Sequence, residues 1–331
     1  MKAAIFDQSD FSLRIEDVRI PELKPGQILI KVKAVSLNHH ELWVMKERKE
    51  FGNFKITPGA DGAGDVVDIG EDVEKSWLGK RVVVNPSLDW GSSRNTQSKD
   101  FEILGDAKNG TFAEYLAMDE KYVYEIPSHL TYEEAAAVPL AGLTAYRALF
   151  TKGMLNRKSK ILITGIGGGV ALWALSFALK MDTKVYVTSG QDDKIQKAID
   201  AGASGGVNYK RENWKKELLD QAGVFDLILD GAAGSGFEIL LHLVKAGGKV
   251  INFGRTAGFF PPFNPRLLFL KQITIVGTTA GSDDEFKNML YYILYHKVRP
   301  VIDSIFPFEE IQTAFERLES ADQFGKIVLK M

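Results

Sequence analysis

The chain contains no cysteine in 331 residues, and that absence removes whole branches of chemistry. Disulfides, thiolate nucleophiles and thiolate-bound metals are all excluded. The net charge is only -2, so there is no electrostatic case for a nucleic-acid partner. No apolar run reaches the roughly 18 residues of a membrane-spanning helix. The start, Met1-Lys-Ala-Ala-Ile, lacks the apolar segment of a signal peptide. The expected setting is therefore cytoplasmic, with no membrane partner. Composition is otherwise ordinary, with 45% apolar and 25% charged residues, and the length suggests about two domains.

What is present begins with Ile161-Leu-Ile-Thr-Gly-Ile-Gly-Gly-Gly-Val-Ala171, followed by an Ala- and Leu-rich stretch to Lys180. Apolar and β-branched residues, a glycine cluster and a helical pattern in that order describe a strand, a tight turn and a helix start. Gly167, Gly168, Gly169 and Val170 are candidates to cradle a pyrophosphate: glycine lets the backbone approach it, and the helix N-terminus offers N–H groups and partial positive charge. The pattern G-x-G-x-x-G/A is incomplete here. With Ala171 as the third small residue, Ile166 stands where the first glycine belongs.

The flanking sequence supports the turn. Strand patterns at Lys184–Thr188, Phe225–Gly231, Gly248–Gly254 and Gln272–Gly277 alternate with helical ones near residues 193–201, 236–245 and 283–297. Such alternation implies a doubly wound parallel sheet covered by helices, with ligands at the carboxyl ends of its strands. The first 120 residues differ. Period-two segments at Gln27–Ser36, Gly64–Gly70 and Lys80–Val84 sit between Gly and Pro turns, an antiparallel β pattern. From Leu130 to Phe150 the pattern is helical, opened by Thr131-Tyr-Glu-Glu134 with the spacing of a capping box. The expected division is 1–124 with 298–331 as a β-rich domain and 125–297 as the nucleotide domain. The last strand, Gly325–Lys330, rejoins the β-rich domain or completes the flank of the nucleotide domain.

Six segments in order resemble the medium-chain dehydrogenase/reductases, in particular their zinc-free quinone oxidoreductase-like and enal reductase-like branches. They are Ala34–Trp43, Pro58–Gly64, Gly110–Tyr115, Val138–Ala145, the glycine turn and Gly277–Thr279. The resemblance covers the chain from end to end. It implies a GroES-like β domain and a Rossmann domain, with the active site in the cleft between them and a two-fold dimer joined through the sheet's last strand, Ile273–Val276.

By the same resemblance, zinc enzymes of the family hold their catalytic metal with residues at the positions of Asn38, Ala60 and Leu140. A catalytic zinc needs three protein ligands, and of that neighbourhood only the carboxylate Asp61 survives. The lobe of a second, structural zinc is occupied by Pro86–Lys99 without a cysteine. Both metal sites are therefore expected to be empty. The remaining chemistry is hydride delivery to an acceptor that is already electron-poor, a quinone or an α,β-unsaturated carbonyl compound, helped by a hydrogen bond to its oxygen. Asn38 takes the place of a family asparagine facing the substrate. His40 falls where the zinc enzymes have a relay hydroxyl, to hydrogen-bond the acceptor oxygen or supply the proton. Trp43 replaces a common tyrosine and is expected as an aromatic wall, with Phe51 and Phe54 nearby. His129, His242 and His296 read as structural or solvated, and Tyr291, Tyr292 and Tyr295 as packing.

The cofactor reading rests on another absence. Enzymes that prefer NAD usually carry Asp or Glu about 20 residues after the glycine turn, to bind the ribose 2′-OH. This chain has Thr188-Ser189-Gly190 there. Ser189 can hydrogen-bond a 2′-phosphate and Lys194 can complete an anion site, so NADPH is expected ahead of NADH, although Asp192 or Asp193 could fold back toward the ribose. The resemblance adds Tyr209 as a phosphate contact, His39 and Lys326 near the pyrophosphate, Thr144 and Gly277 with Thr278 beside the nicotinamide, and Gly254 with Arg255 beside the ribose or phosphates. The competing functions are a reductase or dehydrogenase of simple carbonyls or alcohols, and a protein that binds NADPH without turning it over.

Overall fold

Alternating Ile28, Ile30 and Val32 bury one face of the long third strand, and the first half of the chain is assembled around it. The computed structural model describes residues 1–47 and 55–331. Strands β1 (Lys2–Asp7), β2 (Ser12–Asp17) and β3 (Gln27–Ser36) are followed by helix α1 (His39–Glu47). Then come β4 (Lys55–Ile56), β5 (Asp61–Ile69), β6 (Arg81–Val84), β7 (Ser87–Leu88), β8 (Glu102–Ile103), β9 (Tyr115–Asp119) and β10 (Val123–Glu125). Helices α2 (Tyr132–Ala136) and α3 (Pro139–Tyr146) and a π-helical turn over Arg147–Lys152 carry the chain onward.

The alternating part runs β11 (Lys160–Ile163), α4 (Gly169–Leu179), β12 (Lys184–Ser189), α5 (Asp192–Asp200), β13 (Gly205–Asn208) and α6 (Trp214–Ala222). It continues with β14 (Phe225–Asp230), α7 (Phe237–Leu243), β15 (Val244–Asn252), α8 (Arg266–Lys271) and β16 (Thr274–Gly277). The tail comprises α9 (Asp283–His296), β17 (Ile302–Pro307), α10 (Ile311–Ser320) and β18 (Lys326–Lys330). Among the described residues, no helix is long and apolar enough to cross a membrane.

Two compact units result: Met1–Leu143 with Gly281–Met331, and Thr144–Ala280. In the first, the strand path β10-β6-β5-β3-β18-β17 runs with β9 also paired to β3, over a core that includes Ile28, Val82, Phe112 and Phe315. β18 lies antiparallel to β3 with Val328 opposite Ser36. The last strand thus belongs to the β-rich unit, which closes the choice left open by the sequence.

In the second unit, parallel strands lie in the order β13-β12-β11-β14-β15-β16. The chain starts in the middle, runs to one edge, returns, and runs to the other, so the order reverses between β11 and β14. That is the doubly wound order, and the reversal is where such sheets bind dinucleotides. Helix α4 is buried along most of its length from Ala171 to Ala178, as expected of a helix that is apolar all round.

The unit boundaries differ from the expected 124/125 and 297/298. Residues 125–143 and 281–297 stay with the β-rich unit because specific bonds hold them there. The Ser36 hydroxyl reaches the Ala136 carbonyl at 2.9 Å, and the Leu140 N–H donates to Asp61 at 2.8 Å. Asn85 donates to Asp283 at 2.6 Å, and the Tyr124 and Phe286 rings lie 5.0 Å apart. The capping box at Thr131 forms as its spacing predicts, with Glu134 completing it.

Candidate functional site

The site in the first unit is built where β3 hands over to α1. Asn38 immediately precedes the helix, and its N–H donates to the Glu41 carboxylate at 2.7 Å, one half of a capping box. The other Glu41 oxygen accepts from Ala60 N–H at 3.1 Å. Asp61, at the start of β5, is fully buried and accepts from Ser36 Oγ at 3.0 Å, Asn38 Nδ2 at 3.0 Å and Leu140 N–H at 2.8 Å. The three positions at which the resemblance puts zinc ligands, Asn38, Ala60 and Leu140, therefore do converge, around two carboxylates.

A cation also sits there. Lys326, the first residue of β18, donates to Leu37 O at 2.7 Å, to Asn38 Oδ1 and to Asp61 Oδ2 at 3.1 Å, using all three ammonium protons. Its side chain is 4% exposed and that of Asp61 is 0% exposed. Burial of such a pair is tolerated only when the remaining donors and acceptors are satisfied, and here they are. The sequence reading sent Lys326 to the pyrophosphate; the structure turns its ammonium into this network instead. Asn38, expected to face the substrate, has its amide engaged with Asp61, Glu41 and Lys326.

Zinc takes thiolate, imidazole and carboxylate donors in tetrahedral sets. Asn38, Ala60 and Leu140 do not form such a set, and the Lys326 ammonium already brings a positive charge to Asp61. Among the described residues, no group of three or more His, Cys, Asp or Glu is arranged to hold a metal ion. Burial pushes the Glu41 carboxyl above its usual range, the Asp61 charge adds to that, and His40, Lys326 and the Ala60 N–H oppose it. Burial likewise pushes His39 below the usual imidazole range, and Lys326 adds to the effect. His40 is half-buried, and its Nε2 lies 2.8 Å from Asp106 Oδ1. Trp43 is 38% exposed on α1, while Phe51 and Phe54 fall outside the described residues.

The lobe without cysteines is filled by packing. Trp90 is 1% exposed, meets Phe101 edge-on at 5.2 Å and donates its indole N–H to Ser93 O at 2.9 Å.

The second unit carries the cofactor candidates at the carboxyl ends of its strands. Gly165 and Gly167 adopt φ of +64° and +122°, values that favour glycine, and α4 begins at Gly169 with Gly168 as its N-cap. Ile166 between them is buried, and its N–H donates to Thr188 O at 2.8 Å. The conformational demand thus falls on Gly165 and Gly167, one residue earlier than the phasing through Ala171 implied. At the strand-order reversal, buried Asp230 accepts from Thr164 Oγ1 at 2.8 Å, Asn252 Nδ2 at 3.1 Å and Ala233 N–H at 2.9 Å. It knits the ends of β11, β14 and β15 together, a role that the sequence reading did not assign.

Ser189 closes β12, and Tyr209 N–H donates to its carbonyl at 3.0 Å. Lys194 is buried in α5. Asp192 is held by Arg211 and by Asn208 Nδ2, each at 3.1 Å, and Asp193 pairs with Lys197 at 3.5 Å. Thr278 N–H donates to Asn252 O at 2.9 Å, and its buried Oγ1 has no hydrogen-bond partner among the described residues. A polar atom left so is one that a bound ligand can satisfy. Gly254 O accepts from Asn252 Nδ2 at 2.9 Å, Arg255 lies over the Phe259 ring at 5.3 Å, Gly277 ends β16, and Thr144 lies on α3.

Residues outside these sites mostly follow expectation. His129 binds Val298 O at 2.9 Å, and the His296 ring lies tilted against that of Tyr292 with centroids 4.3 Å apart. Tyr291 and Tyr295, expected to pack, are instead exposed on α9.

An antiparallel β unit joined to a doubly wound sheet with a glycine turn at its helix start defines a two-unit oxidoreductase. The sequence matches the family described as alcohol dehydrogenase GroES-like domain over residues 24–128 and the zinc-binding dehydrogenase family over residues 169–294. The chain belongs to the medium-chain dehydrogenase/reductase superfamily. It is 33% identical to the zinc-type alcohol dehydrogenase-like protein YogA of Leptosphaeria maculans, with 100% of this chain and 98% of that protein aligned. It is 29% identical to an alcohol dehydrogenase of Geobacillus stearothermophilus, over 100% and 99% of the two chains. A crystal structure of an NAD-dependent alcohol dehydrogenase superposes with a TM-score of 0.93 at 29% identity, covering 100% of both chains.

Proposed function

We propose that the protein is an NADPH-dependent, zinc-independent reductase of quinones or α,β-unsaturated carbonyl compounds. The observation that carries this reading is the network at Asn38, Ala60 and Leu140: two carboxylates and a lysine ammonium stand where zinc-dependent relatives would have their ligands. Without a Lewis acid to polarise a carbonyl, the chemistry that remains easy is reduction of an acceptor whose conjugation already spreads the incoming charge. The bound nicotinamide supplies the hydride. In the first unit, His40 hydrogen-bonds the acceptor oxygen or gives it a proton, while Trp43 offers an apolar wall.

The preference for NADPH is supported by the missing carboxylate at Ser189 and by the state of its neighbours. Asp192 is engaged by Arg211 and Asn208 and Asp193 by Lys197, so each of the two acids that could have turned to a ribose hydroxyl has another partner. The names of the relatives favour a second reading, oxidation of alcohols or reduction of simple carbonyls. A homodimer through the β16 edge is proposed as well: β16 pairs with β15 on one side, and the neighbouring Phe269 and Leu270 are each 63% exposed.

The test is turnover of purified protein with NADPH and NADH against quinones, enones, aldehydes and ketones, with metal content measured on the same sample. Reduction of a quinone or enone by NADPH, unaffected by a chelator, is expected. Introducing the missing acid as Ser189→Asp should lower the NADPH-to-NADH ratio of kcat/KM by about tenfold, a carboxylate–phosphate repulsion of about 1.4 kcal/mol. Stoichiometric zinc with activity lost on chelation would overturn the zinc-independent reading, and saturable NADPH binding without turnover of any acceptor would favour a non-catalytic binding protein.

A further inference from the structure

We infer that Lys210 is the residue that reads the 2′-phosphate of the cofactor and so sets the choice between NADPH and NADH. The inference rests on the proposed NADPH reading, and it moves the phosphate's cation from Lys194, where sequence spacing put it, to the turn after the next strand. A dinucleotide's ribose lies at the carboxyl end of the second strand of a doubly wound sheet, which here is the end of β12. At neutral pH a phosphate monoester brings a charge of about -1.5 to -2 to that point, where NADH brings a neutral hydroxyl. A cation standing there uncompensated therefore separates the two cofactors.

The turn after β13 delivers such a cation. β13 runs parallel to β12 with Asn208 opposite Ser189, and Tyr209 N–H donates to Ser189 O at 3.0 Å. Asn208 then reverses the chain: its Oδ1 accepts from Lys210 N–H at 3.0 Å and its carbonyl from Arg211 N–H at 3.1 Å. Its Nδ2 donates to Asp192 at 3.1 Å, which pins the turn to the first residue of α5. Tyr209 and Lys210 are thereby folded over Gly190. A Cβ at position 190 would lie 2.8 Å from Tyr209 Oη and 2.9 Å from Lys210 Cε. The lysine stem thus takes the space that a side chain would fill, and its ammonium, one bond further on, stands beside the end of β12.

The neighbouring cations are placed differently. Arg211 lies between Asp192 at 3.1 Å and Glu217 at 3.2 Å, so its charge is compensated. That pairing also neutralises Asp192, which would otherwise repel a phosphate. Lys194 is 6% exposed within α5. Lys210 is exposed, and among the described residues its side chain makes no ion pair or hydrogen bond. Its charge and its three N–H donors are therefore available to a ligand phosphate.

Dissociation constants of NADPH and NADH, measured by calorimetry on the full-length protein, test the assignment without any acceptor. The wild type should bind NADPH more tightly. Lys210→Ala should weaken NADPH by about fivefold or more while leaving NADH within about twofold, the unchanged NADH affinity showing that the site is still folded. Lys210→Arg should keep most of the preference, and Lys210→Glu should reverse it. Added salt should shrink the wild-type preference and leave that of Lys210→Ala nearly unchanged, because an exposed ammonium is screened. A preference for NADPH that survives Lys210→Ala overturns the inference and leaves the NADPH reading standing. An equal loss of both cofactors in Lys210→Ala also overturns it, since the lysine would then be supporting the turn and not reading the phosphate. A wild type that binds NADH as tightly as NADPH overturns the NADPH reading itself, and the role of Lys210 with it.

Discussion

Replacing Lys326 by methionine removes a charge from the buried network while keeping most of the side-chain volume. Lys326 Nζ and Asp61 Oδ2 are 3.1 Å apart, with side chains 4% and 0% exposed. At an effective dielectric constant of about 20, two unit charges at that separation attract by about 5 kcal/mol. Desolvation of the two ions offsets that attraction by several kcal/mol, so the pair adds little net stability. The single substitution is a different matter. It deletes the attraction and leaves the Asp61 desolvation in place, with Leu37 O and Asn38 Oδ1 also losing a donor. Asp61 retains Ser36, Asn38 and Leu140 as donors, which limits the damage. The expected loss is about 3–5 kcal/mol.

Asp61→Asn, which strands the ammonium instead, should cost a similar amount. The double variant should cost less than the sum by at least about 2 kcal/mol, because it leaves no unpaired charge. Hydrogen exchange at the amides of Ile327, Val328 and Leu329 is the suitable assay, since it reads local opening of the first unit's sheet without assuming that both units unfold together. A Lys326→Met variant within about 1 kcal/mol of the wild type, or single losses that simply add, would refute the reasoning.

Two further predictions concern other parts of the first unit. Trp90→Ala removes a fully buried indole from the lobe at Pro86–Lys99 and should cost about 3–5 kcal/mol, measured by chemical unfolding; a loss below about 1 kcal/mol would mean that Trp90 is not what holds the lobe. His39 bears on pH. Because burial and Lys326 depress its folded pKa, the unfolded chain binds a proton that the native state refuses once the pH falls below about 6.5. Wild-type stability should therefore decline on acidification through that range, by at most about 1.4 kcal/mol per pH unit from this group. His39→Gln should flatten that slope, and identical pH profiles for the two proteins would rule the effect out.

Much of the fold was readable because its signals are local. The strand at Gln27–Ser36, the capping box at Thr131 and the glycine turn each lie within a dozen contiguous residues; the first two formed where their period or spacing placed them, and the turn formed with its positive φ one residue earlier than its spacing implied. β13 was missed because Gly205-Gly-Val-Asn208 has two glycines in place of the β-branched residues that mark a strand; it is recruited by pairing with β12. Glu41 was missed although it stands three residues after Asn38, a spacing that the capping-box rule could have flagged. Asp106 carried no such signal, since it sits in a polar loop and meets His40 across 66 positions of sequence.

By itself the sequence determined that no thiolate could act, that a parallel sheet would bear a glycine turn at a helix start, and that no acid would stand at Ser189. These follow from composition and from periodicity along the chain. Only the tertiary structure decided what the carboxylates and histidines are bonded to. Lys326 is 265 positions from Asp61, and it reaches Asp61 because β18 pairs with β3 in one register, which sets the start of β18 beside the end of β3. A one-residue slip would turn the side chains of that strand to the opposite face. What a charged group does depends on the groups packed around it, and here those come from distant parts of the chain.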